Sequence, residues 1–181
     1  MLITAIYSNL TAQSEAEMKA WMEYMTPGEF HKEMAKWDGE WNEEITMWMA
    51  PGTPPSKSTA SCVNKMILGG RYQSSTHSGS FNGMPFEGIS TTGYDNAKKI
   101  FVSTWMDNMG TGIMVMEGKW DEKTKTLHLK GKQTDPATGK EMGVREVFTV
   151  IDDNTQKMEM FMTPAAGSEY KNMEIVFTRK K

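Results

Sequence analysis

Trp37-Asp38-Gly39-Glu40-Trp41-Asn42-Glu43-Glu44-Ile45-Thr46-Met47-Trp48-Met49 is the stretch at which the chain changes character. Just upstream, Phe30, Met34 and Trp37 recur at the spacing of one helical face. Downstream, Trp41, Ile45, Met47 and Met49 fall on one side of an alternating pattern, with the charged Glu43 among them. Gly39 stops the helix, and strands follow almost to the C-terminus.

The strands are marked by their punctuation. Turn signals fall at Pro51 to Pro55, Gly69-Gly70, Asn82-Gly83, Asp95-Asn96 and Asn108-Met109-Gly110. They continue at Asp121-Glu122-Lys123, Asp135 to Gly139, Asp152-Asp153-Asn154 and Pro164 to Gly167. The spacing leaves about ten strands, near 41–49, 58–68, 71–80, 84–94, 98–107, 111–120, 125–134, 141–151, 155–163 and 170–179. Asn-Gly and Asp-x-x-Gly turns join antiparallel neighbours directly, and no connection has room for a crossover helix. An open sheet of this length would leave two bare edges, whereas closure into a barrel removes them. The expected fold is therefore mainly all-β: an antiparallel up-and-down barrel of about ten strands with one or two short N-terminal helices. A sandwich is the competitor, but its strands are usually shorter. Ten strands also enclose more space than eight, so an interior cavity follows unless large side chains close it.

Ahead of the barrel, Ser14 reads as the N-cap of a first helix, with Glu15 and Glu17 in its first turn. Thr26-Pro27-Gly28-Glu29 reads as a second start, with Thr26 as N-cap and Glu29 at the capping-box position. The expected organisation is a signal-peptide remnant over 1–13, a helical segment over 14–38 and a barrel domain over 39–181. Residues 1–13 carry no charge and resemble the apolar and cleavage regions of a secretory signal, though without a basic start. The expectation is a periplasmic or secreted protein, with the cytoplasm as the alternative. No apolar run approaches the ~20 residues of a transmembrane segment.

Composition narrows the function classes. The 181 residues carry a net charge of -3, and no basic block precedes the terminal Arg179-Lys180-Lys181, which argues against a nucleic-acid partner. Cys62 is the single cysteine, which excludes an internal disulfide and a multi-cysteine zinc site. There are 18 methionines and only five leucines. Methionine either replaces leucine in the core or forms a soft lining for an apolar ligand.

Two sets of residues carry a family likeness. Gly39-Glu40-Trp41 with Arg179 resembles the Gly-x-Trp and terminal-arginine signature of the calycins, the lipocalins and fatty-acid-binding proteins. That resemblance implies an arginine stacked over an indole at the barrel floor, where Trp41 and Arg179 close the structure. A second likeness covers nearly all of residues 28–180. Leu68-Gly69-Gly70-Arg71-Tyr72, Phe86-Glu87-Gly88, Gly93-Tyr94-Asp95, Val102-Ser103-Thr104-Trp105-Met106-Asp107 and Ile175-Val176-Phe177-Thr178-Arg179-Lys180 resemble the bacterial domain-of-unknown-function family 1579. That resemblance implies a calycin-like barrel and no established activity.

Catalytic signatures are missing. His31-Lys32-Glu33 lacks the second histidine of the metalloprotease helix, since position 35 is Ala35. There is no nucleophile elbow, phosphate loop or dinucleotide fingerprint. His128 falls on the polar face of its strand. Some calycin-like proteins hold haem through a barrel histidine, but the last three strands contain none. No cofactor and no metal are therefore expected. The leading expectation is a barrel that binds a small apolar or amphipathic molecule, with an anionic group held by arginine. Its candidate ligand-binding residues are Arg71, Tyr72, His77, Tyr94, Trp105, Asp107 and Arg145. One alternative is an enzyme using a Tyr94/Asp107/Arg145 cluster at the barrel mouth. Another is an interaction module whose partners include a second copy of the chain, as a homodimer.

Overall fold

A computed structural model describes residues 14–181; the expected signal remnant, 1–13, lies outside them. Two helices, α1 (Glu15–Met25) and α2 (Glu29–Ala35), precede ten strands. These are β1 (Gly39–Met47), β2 (Ser56–Ile67), β3 (Tyr72–Phe81), β4 (Met84–Asp95), β5 (Ile100–Asp107), β6 (Met114–Asp121), β7 (Thr126–Thr134), β8 (Glu141–Asp152), β9 (Thr155–Thr163) and β10 (Tyr170–Arg179). Every strand pairs antiparallel with its chain neighbours, and β1 pairs with β10, so the sheet closes into a ten-stranded barrel. The Asn82-Gly83 hairpin shows how local chemistry drives this. Both residues take positive φ (50° and 81°), which matches the twist of the flanking strands and sets Phe81 opposite Met84.

The closing ladder runs from Trp41 opposite Arg179 to Met47 opposite Met173. Trp41 is fully buried. Its indole N–H donates to the Trp37 carbonyl at 3.0 Å, and the Arg179 guanidinium lies 4.2 Å above its ring. Arg179 also donates to the carbonyls of Asp38 (2.6 Å), Lys36 (2.8 Å) and Asp153 (2.9 Å). One side chain thus joins the end of α2, the entry to β1 and the β8–β9 turn.

α2 plugs that same end of the barrel. Phe30 packs on Tyr94 and Phe101, at 4.5 and 5.4 Å between ring centroids, while Met34 and Trp37 enter the core. Gln73 donates to the Met34 carbonyl at 2.7 Å, and Asp38 accepts from the Met66 amide at 2.9 Å, which ties the plug to β2 and β3. α1 lies outside, all its residues exposed. Asn96 holds its end through the carbonyls of Glu23, Tyr24 and Thr26, and Arg71 through that of Met25.

Three local expectations need correction. Ser14 does cap α1, in a reciprocal box with Glu17. Thr26, however, closes α1 as its C-cap, and its hydroxyl donates back to the Met22 carbonyl at 2.6 Å. Gly28 is the N-cap of α2, and the His31 ring takes the capping-box role by accepting from the Gly28 amide at 3.0 Å. Burial lowers the His31 pKa, which favours the neutral ring that this acceptor role requires. Met49 does not extend the apolar face of the first strand, because β1 ends at Met47 and Met49 is exposed. The third concerns β5, whose sequence is apolar on both faces and so suggests a covering helix: among the described residues no helix covers its outer face, since α2 enters the barrel end instead.

Trp41→Ala should cost roughly 3–5 kcal/mol in denaturant unfolding, because it empties a buried indole site and strands Arg179. A loss below about 1 kcal/mol would remove the Trp41–Arg179 pair from the account of closure.

Candidate functional site

Above the plug, the barrel encloses a cavity of about 390 Å³. It has two chemically distinct walls, because inward positions alternate along each strand and the strands differ in what they place there. β2 to β5 contribute hydroxyls and amides, including Ser75, Ser90, Thr92, Ser103 and Gln73. β6 to β10 contribute Met114, Met116, Leu129, Phe148, Met158 and Phe177. Seven methionines line the space in all, so part of the methionine excess is lining as well as core. Among the described residues, no lysine or arginine lines the cavity, whereas Glu43, Asp107 and Glu146 do.

On the polar wall, three adjacent strands bring Glu43, Cys62 and His77 together. The β2–β3 register sets Cys62 directly opposite His77, and Glu43 reaches across from β1. Glu43 Oε1 lies 2.7 Å from His77 Nδ1, and His77 Nε2 lies 3.8 Å from Cys62 Sγ. All three residues are buried. In a neutral ring the carboxylate accepts from Nδ1–H, which leaves Nε2 with a lone pair facing the sulfur. The order Cys–His–Glu has the outline of a nucleophile, base and orienting group. Burial, with the charge of Glu43 adding to it, pushes the Cys62 thiol up to about 12, so it stays protonated at neutral pH and is a poor nucleophile.

Trp105 forms the next part of this wall. Its ring meets the His77 ring edge-on at 5.0 Å and stacks with Phe86 at 6.3 Å. Its indole N–H donates to Asp107 at 2.7 Å. The indole lies against Gly88, where a Cβ would come within 2.5 Å of it. Only glycine leaves room for Trp105 to sit there, which gives the Phe86-Glu87-Gly88 motif a physical reason.

Glu146 stands on the opposite, apolar wall; β8 is five strands from β3 in either direction around the ring. It faces the cavity and has no side-chain hydrogen-bond partner among the described residues. It is half-buried in the cavity wall, away from bulk solvent, and burial pushes its carboxyl up to about 7.

The residues proposed from sequence divide. His77, Trp105 and Asp107 line the cavity. Arg71 lies in the β2–β3 turn at the plugged end and secures α1. Tyr72 is on the outer face, half-exposed, its ring over Gly93. Tyr94 belongs to the plug contacts. Asp95 is a turn residue, accepting from the amides of Ala97 and Lys98 at 2.8 and 2.9 Å. Arg145 points outward, stacked over Phe161 at 3.8 Å and forked onto Glu169 at 2.6 and 2.9 Å. Tyr94 and Asp107 lie at opposite ends of the β4–β5 hairpin, and Arg145 is on β8 outside. The three do not form one cluster. Nor does any arginine among the described residues reach the cavity to hold an anionic group. Sequence reasoning missed Cys62, Glu146 and the polar face of β2 to β5. Glu43 was visible as a charge on an apolar face.

Comparison with known proteins places the chain in a family. The family described as "Protein of unknown function (DUF1579)" matches residues 26–179. The chain belongs to that family. No curated protein matches it. Among solved structures, "Crystal Structure of Rv2717c from M. tuberculosis" is similar over 86% of this chain and 100% of that one, with a TM-score of 0.65 and 12% identity. At that identity the likeness is one of fold. A redesigned beta barrel covers 82% of this chain and 95% of its own, with a TM-score of 0.44 and 12% identity.

Glu146 gives this DUF1579 barrel a pH signature. An unfolded chain releases the proton near 4.5, whereas the folded state holds it to about 7. The stabilisation is therefore complete below about 4.5 and is lost as pH rises through about 7. Denaturant unfolding of the wild type should weaken by up to ~3 kcal/mol between about pH 5 and about pH 8, and Glu146→Gln should flatten that decline. Identical slopes for the two proteins would place Glu146 in water.

Proposed function

We propose that this barrel binds one small amphipathic molecule, mostly apolar, in its interior. The observation that carries the reading is the cavity of about 390 Å³ with one methionine-rich wall and one hydroxyl wall. Its volume falls within the range of small-molecule sites, ~300–1,000 Å³, and most of its polar groups stand on one side, with Gln133, Glu146 and Gln156 facing them from the other. Methionine suits the apolar side because its unbranched, polarizable chain adapts to irregular shapes.

The charges narrow the ligand. With Glu43, Asp107 and Glu146 on the lining and no lysine or arginine among the described residues there, an anionic group would enter against like charge without a lysine or arginine to pair with. The ligand is therefore neutral or basic, with a hydrogen-bonding edge toward Ser90, Thr92 and Ser103 and an apolar face toward β6 to β10. An arginine-held anion has no support in this lining.

Native mass spectrometry of protein purified from its own host should show one bound small molecule per chain. In vitro, a neutral apolar dye such as Nile red should bind at one per chain. A carboxylate of similar size should bind at least about tenfold more weakly above neutral pH, a difference of ~1.4 kcal/mol. Ser90→Phe, which fills the space, should abolish dye binding while the far-ultraviolet circular dichroism stays that of a folded barrel. Dye binding that survives Ser90→Phe, or no binding of either probe, would overturn the proposal.

A further inference from the structure

The polar wall contains an arrangement of lone pairs that an organic ligand does not explain. Glu43 fixes the proton of His77 on Nδ1, so Nε2 offers a lone pair toward Cys62 Sγ at 3.8 Å. Asn64, two residues along β2 on the same inward face, also approaches the sulfur. Its amide N–H donates to the Trp37 carbonyl at 3.2 Å, which turns its Oδ1 toward Sγ at 3.0 Å. Two acceptors therefore converge on one thiol, and a thiol has one proton. Whichever acceptor takes it, the other is left facing sulfur without a donor. Three lone-pair atoms gathered this way suit a cation better than a proton.

From this we infer that Cys62, His77 and Asn64 form a binding site for a single Zn²⁺-class ion, open to the cavity. The 3.8 Å between Sγ and Nε2 is close to the ~3.6 Å that separates tetrahedral ligands with metal–sulfur and metal–nitrogen bonds of ~2.3 and ~2.1 Å. Nitrogen and sulfur ligands together favour zinc over magnesium or calcium. Glu43 takes the outer position of a carboxylate–histidine–metal relay, orienting the imidazole and supplying negative charge. On binding, the Cys62 S–H bond breaks, the proton leaves to solvent and the sulfur lone pair bonds the ion. The thiolate and the Glu43 carboxylate together balance a divalent charge, so the buried site is neutral overall. One atom from each of Glu43, Cys62 and His77 already lies within 4.8 Å of the other two, so the carboxylate, the imidazole and the sulfur are already gathered. The fourth coordination position faces the cavity and is left for water or a guest. The inference stands apart from the proposed organic ligand, since the ion needs no guest to bind.

Because Cys62 is the chain's single cysteine, cobalt reads this site without ambiguity. Titrating the chelator-treated full chain with Co²⁺ should give a thiolate-to-cobalt charge-transfer band. The intense visible bands of a tetrahedral ion should accompany it, saturating at one equivalent and bleached by Zn²⁺. Glu43→Gln should keep the band but weaken binding 10–100-fold. His77→Gln should abolish the tetrahedral spectrum, and His128→Gln, on the exposed surface, should leave it unchanged. Circular dichroism checks that each variant is folded. A wild type with no charge-transfer band at excess Co²⁺ would overturn the inference, whatever the variants do. So would a folded His77→Gln protein with an unaltered spectrum. Nile red binding by the same metal-free protein is scored separately, so either proposal can fail alone.

Discussion

A ring of ten antiparallel strands is too wide for its own side chains to fill. Eight strands make an interior that side chains just occupy, and width grows with each strand added. The remaining features of the molecule answer that constraint. One end is stoppered by α2, whose Phe30 and Met34, with Trp37 following, supply bulk that the strands cannot. The centre is left hollow. Long, adaptable methionines reduce the void on one side, while short hydroxyl side chains leave it open on the other. The cavity is thus what remains after the plug has taken its share.

Closure depends on a small set of directional contacts laid over that geometry. Arg179 stacks on Trp41 and reaches three carbonyls from separate segments, so plug, first strand and a distant turn share one anchor. An arginine fork can satisfy several acceptors at fixed angles, which lysine cannot do. The buried polar groups beside it follow the same economy. Gln73 and Asn64 each spend a donor on a backbone carbonyl of the plug segment, Met34 and Trp37 respectively. For Asn64 this fixes which atom is turned toward the cavity.

Much of the architecture was legible in the sequence because turns and alternation are local signals. Ten strands, their sequential order and Trp41 facing Arg179 all follow from residues near one another or from the family signature. The site was harder to read. Cys62 and His77 meet only because the β2–β3 ladder has one register and not its neighbour, and a slip of one residue would put them on opposite faces of the sheet. The same parity decided β8. Arg145 and Glu146 are adjacent, and nothing local indicates that the arginine faces solvent while the carboxyl faces the cavity. His31 as a cap was hidden for a different reason: histidine seldom plays that part, and Thr26 offered a stronger local signal. Tyr94 was correctly placed where a strand meets a turn, but at the stoppered end.

The β1–β10 ladder has a consequence for how the molecule comes into being. Every other ladder joins segments separated by a short turn and can form early, whereas this one joins the two ends of the β-sheet. Contacts between such distant segments are the slowest to form, because the entropy of a long loop must be overcome first. Without that ladder the sheet would be an open ribbon with two bare edges and no inside. The compartment exists only once Trp41 is paired with Arg179. Any guest would therefore have either to come through the unstoppered end afterwards or to be enclosed as the sheet closed.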